Sequence, residues 1–202
     1  MSLRLAVSAR TDVGRVRPGN EDSFLVSDDA RLVAVADGMG GHQAGEVASA
    51  AAIAALRDGM ARGASIDDAV TGANESVFSM AAADVALRGM GTTLTAGVLD
   101  GDALVIGHVG DSRAYLLRDG ALQQLTTDHS VVAELVAAGE LTEEQALVDP
   151  RRAMITRTIG IDATVEVDLL EVALSPGDRV LLCSDGLTTM VADDAIAEIL
   201  AS

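Results

Sequence analysis

The amino-acid sequence predicts an α+β fold built on antiparallel sheets, on three observations. Apolar runs of strand length lie near both ends, two long segments with helical periodicity follow the first runs, and the middle alternates apolar runs with Asp-Gly pairs. Strands joined by two-residue Asp-Gly turns pair antiparallel, whereas a βαβ repeat would place a helix between successive strands. The order of strands, helices, hairpins, helices and strands is that of an α+β domain.

The first strands are predicted at residues 3–9, 23–27 and 32–36, where apolar residues gather between polar flanks. A helix follows over 43–56, because Ala44, Val47, Ala48, Ala51 and Ala55 fall on one helical face. Ser65 opens a second helix: its hydroxyl can cap free N–H groups while Asp67 and Asp68 complement the positive end. Ile66, Val70, Ala73, Val77 and Met80 form its expected buried stripe. Hairpins are predicted from 93–99 and 103–109 around Asp100-Gly101, and from 114–117 and 121–125 around Asp119-Gly120. Residues 128–147 read as two short helices, the second opened by Thr142 with Gln145 in a capping-box pattern. Strands return at 164–172 and 179–183, either side of the turn Ser175-Pro176-Gly177-Asp178, and Ile196, Ile199 and Leu200 mark a last helix.

The 202 residues suffice for one domain with a substantial core, and with no linker evident the expectation is a single unit over 1–202. Acidic side chains outnumber basic ones 31 to 14, every basic one is arginine, and the formal charge is −17. Nucleic acid and anionic membranes would be repelled by such a surface, and the only aromatics, Phe24, Phe78 and Tyr115, make no base-stacking platform. The single cysteine, Cys183, forbids an internal disulfide and sits on an apolar strand, where a core role is expected. No signal-peptide pattern and no membrane-length apolar run is visible, so the expectation is a cytoplasmic protein, most simply a monomer.

The chemistry is expected at aspartates that end apolar strands. Asp37 follows Leu32-Val33-Ala34-Val35-Ala36 and precedes Gly38-Met39-Gly40-Gly41-His42; Asp111 ends the run over 104–110; Asp185 follows Val180-Leu181-Leu182-Cys183-Ser184. Glu21 and Asp22 precede another apolar run. One such carboxylate is an ordinary turn residue. Several brought together would repel unless a cation neutralised them, and all-oxygen ligands suit Mg²⁺ or Mn²⁺. Arg17, four residues before Glu21, could hold a phosphate bidentately beside that centre. Cations plus an arginine point to phosphate-ester hydrolysis.

Six segments carry a family resemblance: Arg17-Pro18-Gly19-Asn20-Glu21-Asp22, Asp37-Gly38-Met39-Gly40-Gly41-His42, Gly91-Thr92-Thr93, Gly110-Asp111-Ser112-Arg113, Asp128-His129-Ser130 and Ser184-Asp185-Gly186. In this order they resemble the metal-dependent serine/threonine protein phosphatases of type 2C, bacterial members in particular, over about residues 8–190. The resemblance implies a four-layer αββα sandwich, two antiparallel sheets flanked by helices, with two or three Mn²⁺ or Mg²⁺ ions in a cleft at one end. By matching motif, Asp37 would bridge two ions, Gly38 would offer its carbonyl, Asp185 would be a direct ligand, and Glu21 and Asp22 would hold bound waters. Asp111 would serve a third ion and Arg17 would bind the substrate phosphate, which a metal-bridging hydroxide attacks in line. His42 would protonate the leaving alkoxide, Met39 standing where animal relatives have histidine. His129 would order the segment after it, and residues 130–160 would form a variable flap, with Arg151, Arg152 and Arg157 giving it a basic face. Implied partners are phosphoserine and phosphothreonine proteins, serine/threonine kinases among them.

One departure stands out. The family's closing Asp-Asn-x-Thr stretch, with a further metal ligand and strand, has no match after Ser184. The expectation is therefore a chain that continues past Ser202 or a truncated form. A phosphatase-like binding or regulatory domain with an incomplete metal site is the alternative reading. A Gly-Asp-Ser esterase is disfavoured because no histidine follows His129, and a Walker-type nucleotide loop because the chain has no lysine.

Overall fold

The computed structural model describes residues 3–29, 31–40 and 44–202. Strands β1 (Asp22–Val26) and β2 (Leu32–Met39) lead into helices α1 (Ala44–Ala61) and α2 (Ile66–Ala83). Then come β3 (Gly91–Thr92), β4 (Leu94–Asp100), β5 (Ala103–Val109), β6 (Arg113–Arg118) and β7 (Ala121–Gln124). The chain continues through α3 (Val131–Ala137), α4 (Glu143–Val148), β8 (Asp168–Ala173), β9 (Arg179–Cys183), α5 (Asp185–Thr188) and α6 (Asp193–Ala201). The larger sheet has the order β1-β2-β4-β5-β8, with β3 paired to the end of β2; the smaller is β7-β6-β9. Every pairing is antiparallel.

Alternation along the strands makes the layers. Ala34, Ala36, Leu94 and Ala96 turn one face of the larger sheet toward Ala48, Ala52, Leu56, Val70 and Val77 of α1 and α2. Each large aliphatic side chain buried there contributes about 1.5–3 kcal/mol. On the opposite face, Leu104 and Ile106 meet Ala114, Leu170, Val180 and Leu182, an apolar layer joining strands of both sheets. Tyr115 and Leu117 point away from that layer; α6 covers them with Ile196, and the Tyr115 hydroxyl donates to Asp193 at 3.3 Å. Helix, sheet, sheet and helix therefore stack as the resemblance implies.

Local signals behave as their chemistry requires. The Ser65 hydroxyl accepts from the Asp68 N–H at 3.1 Å, and the Thr142–Gln145 capping box is formed in both directions. Asp119 (φ 51°) and Gly120 (φ 79°) adopt the left-handed pair that a two-residue hairpin turn demands. Gly72 lies within α2, and a Cβ there would meet nothing within 4 Å. Gly72→Ala is expected to stabilise the protein by about 0.5–1 kcal/mol, read as a higher urea midpoint.

Three expectations need correction. Residues 3–9 form no strand: Leu3 and Leu5 are half-buried, but among the described residues no strand pairs with this segment, which bonds instead through Leu3 N–H to Asp102 Oδ1 at 3.3 Å. Residues 164–167 are likewise irregular, and β8 begins only where His108 offers Asp168 a ladder partner. The face of α1 read from the sequence does pack on the core: Ala44 and Ala48 are buried with Ala52, Ile53 and Leu56, and Val47, Ala51 and Ala55 lie half-buried against them. Met80 is 36% exposed, because the apolar stripe of α2 ends at Val77. Among the described residues no helix is long and apolar enough to cross a membrane.

Candidate metal centre

Strand register delivers the carboxylates. In the larger sheet Asp22 on β1 lies directly opposite Asp37 on β2, on the face turned away from α1. In the smaller sheet Arg113 pairs with Cys183, and carrying that register two residues onward sets Asp111 level with Asp185. Each sheet thus brings one aspartate pair to the same end of the molecule. Directly opposed like charges are unfavourable in a sheet.

The electrostatics record that opposition. Burial, the charges of Asp22 and Asp185, a hydrogen bond with Asp185 and the charge of Asp111 together push the Asp37 carboxyl up to about 8. Burial, reinforced by Asp185 and Asp128, pushes Asp111 up to about 6. Among the described residues, however, no three His, Cys, Asp or Glu side chains close into a coordination cage on their own. The aspartates converge on Asp37 rather than forming a ready shell.

Hydrogen bonds hold the surrounding backbone. Thr93 Oγ1 accepts the Asp37 N–H at 2.9 Å, while the Thr92 hydroxyl and the Thr93 N–H both donate to the Asp37 carbonyl at 2.9 Å. Ser112 Oγ lies 2.7 Å from Thr93 Oγ1, tying the Asp111 loop to the residue that holds the Asp37 backbone. The Ser184 hydroxyl donates to Asp22 Oδ2 at 2.8 Å, linking the two sheets. Gly38 donates to the Glu21 carbonyl at 3.1 Å and runs so close to α1 that a Cβ would sit 2.0 Å from the Gly45 oxygen. Gly45 in turn lies against the Glu21 carboxylate, where a Cβ would come within 2.9 Å of Oε1. Arg17, largely exposed, donates from Nη1 to Glu21 Oε2 at 3.2 Å.

The structure therefore gathers Glu21, Asp22, Asp37, Gly38, Asp111 and Asp185 and attaches Arg17 through Glu21; His42 lies outside the described residues. Sequence reasoning missed Thr93, Ser112 and Ser184, small hydroxyl residues whose roles depend on partners far along the chain. Their signal was adjacency, each standing inside a quoted motif or next to a singled-out aspartate. Two of the three arginines expected to give the flap a basic face are paired. Arg157 turns onto Asp168 at 2.5 Å and Arg151 folds onto Asp149 at 2.9 Å, so neighbouring aspartates neutralise them.

A family profile described as Protein phosphatase 2C matches residues 17–201. The chain belongs to the protein phosphatase 2C family. Within that family it is 42% identical to the serine/threonine phosphatase stp of Listeria monocytogenes, covering 96% of this chain and 82% of the relative. It is 47% identical to the serine/threonine protein phosphatase PstP of Mycobacterium tuberculosis, over 99% of this chain and 40% of that protein. The crystal structure of the M. tuberculosis phosphatase superposes with a TM-score of 0.86 at 46% identity, covering 95% of this chain and 83% of that one. The PstP catalytic domain in complex with two manganese ions gives 0.87 at 44% identity, over 96% and 84%. This family membership makes the end of the sheets where the aspartates meet the natural place to seek the chemistry.

Proposed function

We propose that this protein is a metal-dependent protein serine/threonine phosphatase acting on phosphoserine and phosphothreonine proteins, with Mn²⁺ or Mg²⁺ at the aspartate cluster. The observation that carries the reading is Asp37, a half-buried carboxyl that burial and the charges of Asp22, Asp185 and Asp111 together push up to about 8. The donor set fits a hard divalent cation: it is all oxygen, it is over-supplied with negative charge, and a cation would offset the burial and repulsion that raise the Asp37 carboxyl. Asp37 and Asp185 are assigned as direct ligands with the Gly38 carbonyl, Glu21 and Asp22 as holders of bound water, and Asp111 as ligand of an outer ion. When bound, the ions polarise the phosphoryl oxygens and bring the ionisation of water into the neutral range.

The chain supplies position. Thr92 and Thr93 fix the Asp37 backbone, Ser184 orients Asp22, and Glu21 steadies the exposed guanidinium of Arg17 for a substrate phosphate. The leaving-group proton is assigned to His42 on sequence grounds alone. Cys183 takes no part: it is buried, and burial pushes its thiol up to about 11.

The deciding assay is release of phosphate from phosphothreonine peptides. Turnover should require Mn²⁺ or Mg²⁺, survive Cys183→Ser and stop with EDTA. Metal-independent turnover would overturn the reading, and tight phosphopeptide binding without turnover would favour a binding domain. Stability gives a second check. Between pH 4 and 8 the unfolded chain ionises Asp37 while the metal-free fold keeps it protonated, so metal-free stability falls as pH rises through this window. Melting curves in EDTA should show that decline, and Mn²⁺ should raise the melting temperature more at pH 8 than at pH 5.

A further inference from the structure

We propose that His129 is a positioning residue that sets the loop bearing Asp111 for its cation; the proposal rests on the reading of Asp111 as a metal ligand. Two motifs, Gly110-Asp111-Ser112-Arg113 and Asp128-His129-Ser130, lie 19 residues apart in sequence at His129 and Gly110 yet clasp each other at three points. The Gly110 N–H donates to His129 Nδ1 at 3.0 Å, and the Gly110 carbonyl accepts the His129 N–H at 2.8 Å. On the far side of Asp111, Arg113 grips Asp128 with both ends of its guanidinium, Nε to Oδ1 at 2.9 Å and Nη2 to Oδ2 at 2.7 Å. Asp111 is therefore held at both flanks by consecutive residues of one segment. Gly110 adds tightness, since at φ 112° a Cβ would fall 2.6 Å from the Thr93 side chain.

The bonds decide the form of the ring. Nδ1 accepts from Gly110 and so carries no hydrogen; the ring N–H is on Nε2 and points to Asp168 Oδ2 at 3.1 Å. Arg157 Nη1, 3.0 Å from Nε2, then finds its acceptor in Asp168 Oδ1, because two N–H groups cannot bond each other. Both ring nitrogens are occupied and the residue is 6% exposed, which leaves neither nitrogen to meet a substrate. His129 acts through Gly110. It also anchors the flap, since its carbonyl accepts from Thr156 N–H at 2.8 Å and the next residue, Ser130, caps α3.

Groups that orient metal ligands typically change metal affinity about 10- to 100-fold when removed. The test is Mn²⁺ titration of the chelator-stripped protein by calorimetry, comparing wild type with Asp111→Asn, His129→Gln and His129→Asn. Asp111→Asn is expected to weaken the loosest class of Mn²⁺ sites. His129→Gln, whose amide reaches toward Asp168 but leaves Gly110 without an acceptor, should weaken the same class about tenfold or more. His129→Asn, whose amide oxygen can occupy the Nδ1 position, should restore most of that affinity. An unchanged isotherm for His129→Gln, with Asp111→Asn weakened, overturns the role of His129 alone. An unchanged isotherm for Asp111→Asn overturns the assignment of Asp111 beneath it. Long-range ¹H–¹⁵N spectra of the wild-type ring give a measurement that needs no variant: an Nδ1–H tautomer would also overturn the proposal.

Discussion

Asp37→Asn should abolish phosphatase turnover and, in the same protein, raise the melting temperature of the metal-free form at pH 8. Loss of the proposed central ligand should remove charge stabilisation worth several kcal/mol, so kcat/KM should fall by about 10³-fold or more. The gain in stability comes from the same side chain. An amide cannot ionise, so the variant escapes the conflict that burial and three neighbouring aspartates impose on Asp37. Its melting temperature in EDTA should vary less between pH 5 and 8 than that of wild type, and Mn²⁺ should stabilise it less. Thermal melts in EDTA and in Mn²⁺, run beside the phosphopeptide assay, separate these outcomes. A variant both inactive and less stable in EDTA would mean that Asp37 is held by favourable contacts rather than strained by like charge.

Gly38→Ala is expected to be the most damaging substitution of one small residue. Its Cβ would lie 2.0 Å from the Gly45 carbonyl oxygen and 2.8 Å from the Glu21 carbonyl oxygen, both backbone atoms with no rotamer to yield. The start of α1 or the end of β2 must move, at a cost of about 3 kcal/mol or more. Because Asp37 and Glu21 flank the contact, Mn²⁺ affinity should fall with stability. Calorimetric Mn²⁺ titration and urea unfolding check this, and Gly72→Ala, with open space around its Cβ, is the matched control. If Gly38→Ala unfolded at the wild-type urea concentration, the close crossing of β2 and α1 would be wrong.

The sequence made some of this legible for identifiable reasons. Hairpins at Asp100-Gly101 and Asp119-Gly120, and caps at Ser65 and Thr142, depend on neighbours within a few residues, and all four appear. The aspartates stood out because each borders an apolar run, and register then did the assembling. What stayed hidden depends on distant partners. Residues 3–9 carry strand-like alternation, but alternation creates no ladder without a neighbour. The two-residue β3 is too short to leave a pattern, yet its Thr92 holds the Asp37 carbonyl. The Asp128–Arg113 pair and the bond from Gly110 to His129 join motifs that sequence reading could quote but not connect.

The register between β1 and β2 has a consequence for how such a protein tolerates length changes. Strand side chains alternate with a period of two, so deleting one residue inside β2 ahead of Asp37 would exchange the faces of everything after it. Asp37 would then swing beneath α1, into the alanine-lined layer now occupied by Ala34 and Ala36 and away from Asp22, Asp111 and Asp185. An extra residue in the connection between β1 and β2 leaves both strands intact and should be absorbed. Length variation that preserves the centre is thus confined to the turns, and within these strands even the gain or loss of a single codon would act as a null mutation.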